Sequence, residues 1–212
     1  MMREVLDIYD ERGRHIGVKE RGAVHRDGDW HRVFHCWVVR RDECGRDLVL
    51  FQRRGAHKAT FPLFLGVSVG GHYSVGEAPG DGLREMREEL GFAPPFEALI
   101  YCGQRRIDAR RKGLVDREIA DTFVYVSERP LTCYPVMQPE VADLVAAPVN
   151  EGLELFAGSR RNLKAETPSG PCVVALKDFV PHHETMFTNA LLLARQFLNG
   201  ERNVNEQLER QP

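Results

Sequence analysis

Residues 70–92 read GGHYSVGEAPGDGLREMREELGF, and no other stretch restricts the fold so much. Glu85, Arg87, Glu88 and Glu89 put four charges within five consecutive positions of a helix-forming run. On a helix, Glu85, Glu88 and Glu89 stand at i, i+3 and i+4, so their side chains share one face. Leu83, Met86 and Leu90 form the opposite apolar stripe, which has to dock on a sheet, and Gly91 suits the helix end. Carboxylates gathered on one face raise one another's pKa unless a cation lies between them. Hard divalent cations such as Mg²⁺ take oxygen ligands of this kind. A solvated acidic face, with Arg84 and Arg87 as local partners, is the plainer alternative. Gly70, Gly71 and Gly76, ahead of the helix, allow tight turns and close approach of a ligand to the backbone.

The remaining pattern supplies the sheet. Residues 4–19 read as a hairpin, with Val5, Leu6, Ile8 and Tyr9 before the turn and Ile16 and Val18 alternating after it. Strands are expected at 33–39 and 47–53, near 98–103 and over 119–127. The basic run RRIDARRKG (105–113) reads as a substrate-facing or solvated loop. From residue 140 helices are expected to take over, first in PVNEGLELFAG. A break at ETPSGP then leads to a last helix over roughly 182–199, stopped by Gly200. The class is α/β in the broad sense, or α+β, with a mixed sheet. The expected organisation is a hairpin extension over 1–30, a main domain over 31–165 and a C-terminal helical extension over 166–212 packed on it.

Composition narrows the partners. A net charge of −2 gives no global attraction to DNA or to an anionic membrane. The basic run lacks interleaved aromatics, so no nucleic-acid partner is expected. No apolar run is long enough to span a bilayer, and MMREVLDIYDERGRH is too charged for a signal peptide. The five scattered cysteines form no C-x-x-C pair and read as reduced thiols of a cytoplasmic protein.

The stretch from Gly71 to Phe92 resembles the Nudix box: G, five residues, E, seven residues, then R-E-U-x-E-E-x-G-U, with U bulky and aliphatic. Gly71, Glu77 and the run Arg84-Glu85-Met86-Arg87-Glu88-Glu89-Leu90-Gly91 match it, and Phe92 stands last as an aromatic. Only six residues, APGDGL, separate Glu77 from Arg84, so the loop is one residue short. The resemblance implies an α/β/α sandwich around a mixed sheet and hydrolysis of a small diphosphate linked to a further group X. It implies Mg²⁺, with Mn²⁺ the second choice, held by Glu85, Glu88 and Glu89. One of these, or another acid, would orient or deprotonate the attacking water. Arg84 is implied to orient a glutamate rather than to touch substrate.

Further segments resemble the branch that includes type I isopentenyl diphosphate isomerase. HRDGDWHRVFHCWVV (25–39) resembles its His-containing strand, and QRRGAHKATFP (52–62) its Q-x-R-x-x-x-K-x-x-(W/F)-P pattern. GGHYSVGE resembles its C-G-H-P-x-x-G-E, and DREIADTF (116–123) its E-x-E before a strand. This alignment implies a metal cluster of His31, His72, Asp116 and Glu118, a set suited to Mn²⁺ or Zn²⁺. It also implies that Arg53, Arg54 and Lys58 grip the diphosphate beside Gly71. His25, His31 and His35 are read near or on a strand, and Glu118 is the preferred extra ligand or base, ahead of Glu140. The isomerase needs a cysteine two residues before the loop His, where this chain has Gly70. It also lacks acids at the positions of Glu85 and Glu88, both present here. The catalytic candidates are therefore Glu85, Glu88 and Glu118, in a hydrolase on an isomerase-like scaffold. An isomerase and a non-catalytic nucleotide-binding module are the alternatives. The apolar stripe of the last helix suits a pocket cap or a homodimer interface equally.

Overall fold

The turn after the first strand is tied by its own side chain: Asp10 accepts the backbone N–H of Arg12 and of Arg14, each at 2.9 Å. It joins β1 (Val5–Tyr9) to β2 (His15–Glu20), the expected hairpin. A helix follows, α1 (Arg21–Asp27), closed by Gly28 in the left-handed region. His25 therefore lies on a helix and not on a strand, because the strand pattern begins only after this cap. The computed structural model describes residues 4–111, 114–136, 139–181 and 184–200.

The long strand β3 (Trp30–Arg41) organises the sheet. It runs parallel to β8 (Leu114–Val126) over ten positions, from Trp30↔Arg117 to Val39↔Val126. It also pairs antiparallel with β4 (Asp47–Arg54), but only at Val39, Arg40 and Arg41. Beyond those positions β3 and β4 diverge, and the segment of β5 (Leu65–Gly66) and β6 (Val69–His72) enters the gap. There β5 pairs with β4 and β6 with β3. Ser68 spans the gap: its hydroxyl accepts the Val38 N–H at 2.9 Å and donates to the Leu50 carbonyl.

Two parts of the sequence reading need correction. Residues 105–111 are no loop but part of β7 (Leu99–Arg111), paired with β8 through residues such as Arg106↔Ile119 and Asp108↔Arg117. Ile107, buried between charged neighbours, carries the strand period that the arginines obscure. Several of these charges are met locally: Arg110 and Arg117 pair with Asp108, and the Arg106 guanidinium lies over the Trp30 ring. Residues 112–113 lie outside the described residues. Nor do helices take over at 140. Val141–Pro148 forms β9, and Asn162–Thr167 and Gly170–Ala175 form β10 and β11. ETPSGP is the turn of that last hairpin, which extends the sheet in the order β11-β10-β9-β4-β3-β1-β2. The boundary read at residue 165 falls inside β10, and β1 pairs with β3, so all three expected segments share one sheet.

Helices cover both faces. On one, α2 (Leu83–Leu90) buries Leu83, Met86 and Leu90 among Phe34, Leu50 and Val69. On the other, α3 (Val149–Phe156) and α4 (Glu184–Leu198) pack on Trp37, Phe51 and Phe179. Phe187 is the anchor of α4, with ring centroids 5.2 Å from Phe179, 5.4 Å from Phe156 and 5.9 Å from Phe51. The expected final helix is present from Glu184, residues 182–183 lie outside the described residues, and Gly200 has a positive φ. No helix among the described residues is long and apolar enough to cross a membrane, and all five cysteines are free. Phe187→Ala should destabilise the protein by about 3–5 kcal/mol, the usual cost of emptying a large aromatic site. Urea unfolding measures it, and a loss under about 1 kcal/mol would show that α4 does not hold this face.

Candidate active site and metal centre

The glycines of β6 let carboxylates approach the backbone. A Cβ at Gly71 would sit 2.1 Å from the Glu85 carboxyl carbon, so only glycine leaves room for that side chain. Next to it, Gly70 donates its N–H to Glu89 at 3.0 Å. Arg84 arranges the other acids, with ion pairs to Glu85 at 2.9 Å, Glu88 at 3.0 Å and Glu77 at 3.3 Å. It also donates to the His72 carbonyl at 3.1 Å. The shortened loop still delivers Glu77 to Arg84, helped by the Ser74 N–H that donates to Glu77 at 2.7 Å.

The three helix glutamates do not behave alike. Glu85 and Glu89 are buried, whereas Glu88 lies at the rim with half its side chain exposed. No group of three that includes them brings ligand atoms within 4.8 Å of one another among the described residues. Burial pushes the Glu85 carboxyl up to about 7, opposed by Arg84. It pushes Glu89 up to about 8, opposed by the Gly70 hydrogen bond.

A second cluster stands across β3 and β8. His31 on β3 neighbours Glu118 on β8, α1 brings His25 and β6 brings His72. Two trios, His25–His31–His72 and His31–Asp116–Glu118, each place one ligand atom per residue within 4.8 Å of the others. His31 Nδ1 lies 3.1 Å from the Asp29 carbonyl, so a proton there leaves the Nε2 lone pair facing the cluster. That Nε2 and Asp116 Oδ1 are buried, 3.6 Å apart, and neither has a hydrogen bond among the described residues. His25 Nε2 is 3.5 Å from the same oxygen. Buried polar atoms left unpaired cost about 1–3 kcal/mol each, so the donor set fits a divalent cation. Burial lowers His31 to about 4 and shifts His25 in the same direction, leaving both imidazoles neutral near pH 7. Glu118 rises to about 8, from burial first and the charge of Asp116 second. Glu4 supports His72 at 3.4 Å, and this contact is the main reason its own carboxyl falls to about 2.

His25 and Glu4 were missed in the sequence, since only the fold of α1 and β1 brings them here. The expected diphosphate grip is divided. Arg54 is partly buried, bonds to Thr60 through its backbone carbonyl and hydroxyl, and feels the charges of Glu89 and Glu118. Arg53 donates to the Leu63 carbonyl at 3.0 Å, and Lys58 pairs with Glu140. Phe61 and Leu63 in this loop have positive φ, a strained state for side chains of their size. At Gly70, an added Cβ would meet Val67 Cγ1 at 2.7 Å and the His35 ring at 3.3 Å.

The raised carboxylates have a pH signature. A group whose folded pKa lies above its unfolded value holds its proton more tightly when folded, so stability falls as pH rises between the two values. Glu85, Glu89 and Glu118 act this way from the ordinary 4.5 up to about 7 or 8. His31, lowered from 6.5 to about 4, opposes them only below 6.5. Metal-free protein should therefore lose stability from about pH 6.5 to pH 8, on the order of 1 kcal/mol per pH unit for each carboxylate still titrating. Glu89→Gln should flatten that slope in urea titrations, and an equal slope in both proteins would remove Glu89 from the explanation.

No family model matches the chain. An uncharacterized Nudix hydrolase of Clostridium acetobutylicum is 38% identical over 151 residues, covering 71% of this chain and 73% of that protein. An isopentenyl-diphosphate Delta-isomerase of Streptomyces griseus is 32% identical over 149 residues, covering 69% and 74%. A crystal structure of the Deinococcus radiodurans protein DR0079 superposes with a TM-score of 0.54 at 22% identity, covering 74% of this chain and 91% of that one. A MutT/nudix family protein from Enterococcus faecalis superposes at 0.55 with 15% identity, covering 84% and 66%. These two structures bear on the fold alone, which they share. At the identity and coverage of the Clostridium relative, the chain belongs to the Nudix hydrolase family.

Proposed function

We propose that the protein is a metal-dependent pyrophosphohydrolase of the cytosol, cleaving a phosphoanhydride bond in a small organic or nucleoside diphosphate derivative. The observation that carries this reading is the seating of Glu85 and Glu89 against the bare backbone of Gly70 and Gly71. One guanidinium, Arg84, is shared among Glu77, Glu85 and Glu88, so acid outnumbers base there, and a diphosphate needs a cation at the same place. Mg²⁺ or Mn²⁺, when bound, neutralises phosphoryl oxygens and acidifies a water.

The chain's own groups do the rest in this proposal. Glu85, Glu88 and Glu89 would hold the cation beside the diphosphate, with His72 at the margin shared with the histidine cluster. Arg84 keeps Glu85 and Glu88 in place. Arg54, half-buried beside Glu89 and Glu118, supplies positive charge for phosphoryl oxygens, with Arg53 and Lys58 at the rim. Gly71 leaves room for the Glu85 carboxylate against the backbone. Burial raises Glu118 to about 8, so it is the group proposed to take the proton of the attacking water as pH rises toward that value.

The second reading, an isomerase acting on isopentenyl diphosphate, is favoured by the histidine cluster and by the Streptomyces griseus relative. Gly70 weighs against it. A glycine cannot carry a proton to carbon, and Val67 and His35 fill the space where a side chain would start.

Product release should be assayed on nucleoside di- and triphosphates, dinucleotides, sugar nucleotides and isopentenyl diphosphate, with Mg²⁺ and then Mn²⁺. Wild type should turn over at least one class, and Glu88→Gln and Glu89→Gln should each lower kcat by about a hundredfold or more. Turnover unaffected by both variants, or proton exchange at carbon without hydrolysis, would overturn the proposal.

A further inference from the structure

Beside the histidine cluster, on the sheet face opposite α2, a cavity lies between α4 and the strands β3, β7 and β8. Trp37, Met186 and Leu193 form its apolar wall, and Arg105, Thr122 and Asn189 its polar one. His35 also lines it, with Nε2 3.8 Å from the Glu118 carboxylate, so the cavity adjoins the metal cluster. Arg105 sits opposite Ala120 on β8, two residues beyond Glu118 and on the same face.

Arg105 differs from the other basic residues of its strand. Arg106 lies on Trp30 and Arg110 pairs with Asp108, whereas Arg105 makes no hydrogen bond or ion pair among the described residues. It is nonetheless partly buried, and burial is the sole influence that shifts it, downward. Its guanidinium is only partly screened from water and meets no carboxylate among the described residues, which adds nothing to the fold alone. Facing a cavity that adjoins the metal cluster, it is a preformed partner for an anion.

We propose that this cavity is the subsite for group X and that Arg105 binds a second anionic group there, a carboxylate or phosphate separate from the diphosphate. The favoured substrate class is then a diphosphate whose far end carries its own negative charge on a partly apolar body, which contacts Trp37 and Met186. Thr122 and Asn189 offer neutral hydrogen bonds to the same group. This inference rests on the phosphoanhydride reading above, because it takes the diphosphate to lie at the glutamates.

Binding is measured first, so that the test does not depend on cleavage. Calorimetry with Mg²⁺ compares two matched pairs on the full chain: UDP-glucuronate against UDP-glucose, and coenzyme A against its 3′-dephospho form. The pairs separate carboxylate from phosphate. In at least one pair the anionic member should bind about tenfold more tightly to wild type, the worth of one charge-assisted hydrogen bond. Arg105→Gln should bring that ratio near one, and Arg105→Lys should keep part of it. Arg105→Gln should also leave Tm no lower in the absence of ligand, unlike the removal of a structural ion pair. A ratio equal in wild type and Arg105→Gln, or no preference for either anionic member, would overturn the subsite. Retained preference without turnover on any compound would overturn the hydrolase reading and leave the subsite standing.

Discussion

Everything at the centre of this protein depends on a short glycine strand wedged into a sheet that has opened to receive it. Because β3 and β4 part after three pairs, β6 enters between them and turns its backbone toward α2. Glycine at 71 then lets the Glu85 carboxylate lie on that backbone where any side chain would exclude it, and the Gly70 N–H receives Glu89 beside it. Burying two acids this way opposes folding, and the apolar stripe of α2 offsets it by fixing Met86 and Leu90 in the core. The same side chains that make the helix stable therefore hold its acids where burial raises their proton affinity.

The strand β3 gives the arrangement its second half. Its alternation sends Phe34 and Cys36 toward α2 and His31, His35 and Trp37 toward the opposite face, so one strand serves both layers. Its parallel partner β8 adds Glu118 beside His31 by register alone. The helix glutamates and the histidine cluster are thus separate constructions joined at β6, where Gly70, Gly71 and His72 are consecutive. Relatives named as hydrolases and as isomerases share this scaffold with the chain.

Much of this was legible in the sequence, and what was missed has physical reasons. The spacing of the box residues gives the helix, its buried stripe and the glycine approach, because helical periodicity is local. The i, i+3, i+4 rule puts Glu88 with Glu85 and Glu89, but it says nothing of how a neighbouring strand divides that face into buried and exposed parts. His25 joins His31 only through α1, a seven-residue helix whose single buried residue, Val24, leaves almost no apolar period to detect. In β7 the alternation is present but carried by Ile107 alone among charges, so composition suggested a loop. The strands after residue 140 pair with β4 and with each other, and such nonlocal pairing leaves little trace in a short window.

The claim most exposed to test is that a cation bound at the buried glutamates is what positions the diphosphate. A crystal grown with Mn²⁺ and a non-hydrolysable methylene diphosphate analogue, with anomalous data collected at the manganese edge, tests it directly. Manganese between Glu85, Glu88 or Glu89 and the analogue's phosphoryl oxygens, with or without a further ion at His31 and Asp116, is the expected result. An analogue bound at the histidine cluster alone, with no manganese beside α2, would contradict the assignment of the acidic helix as the catalytic centre.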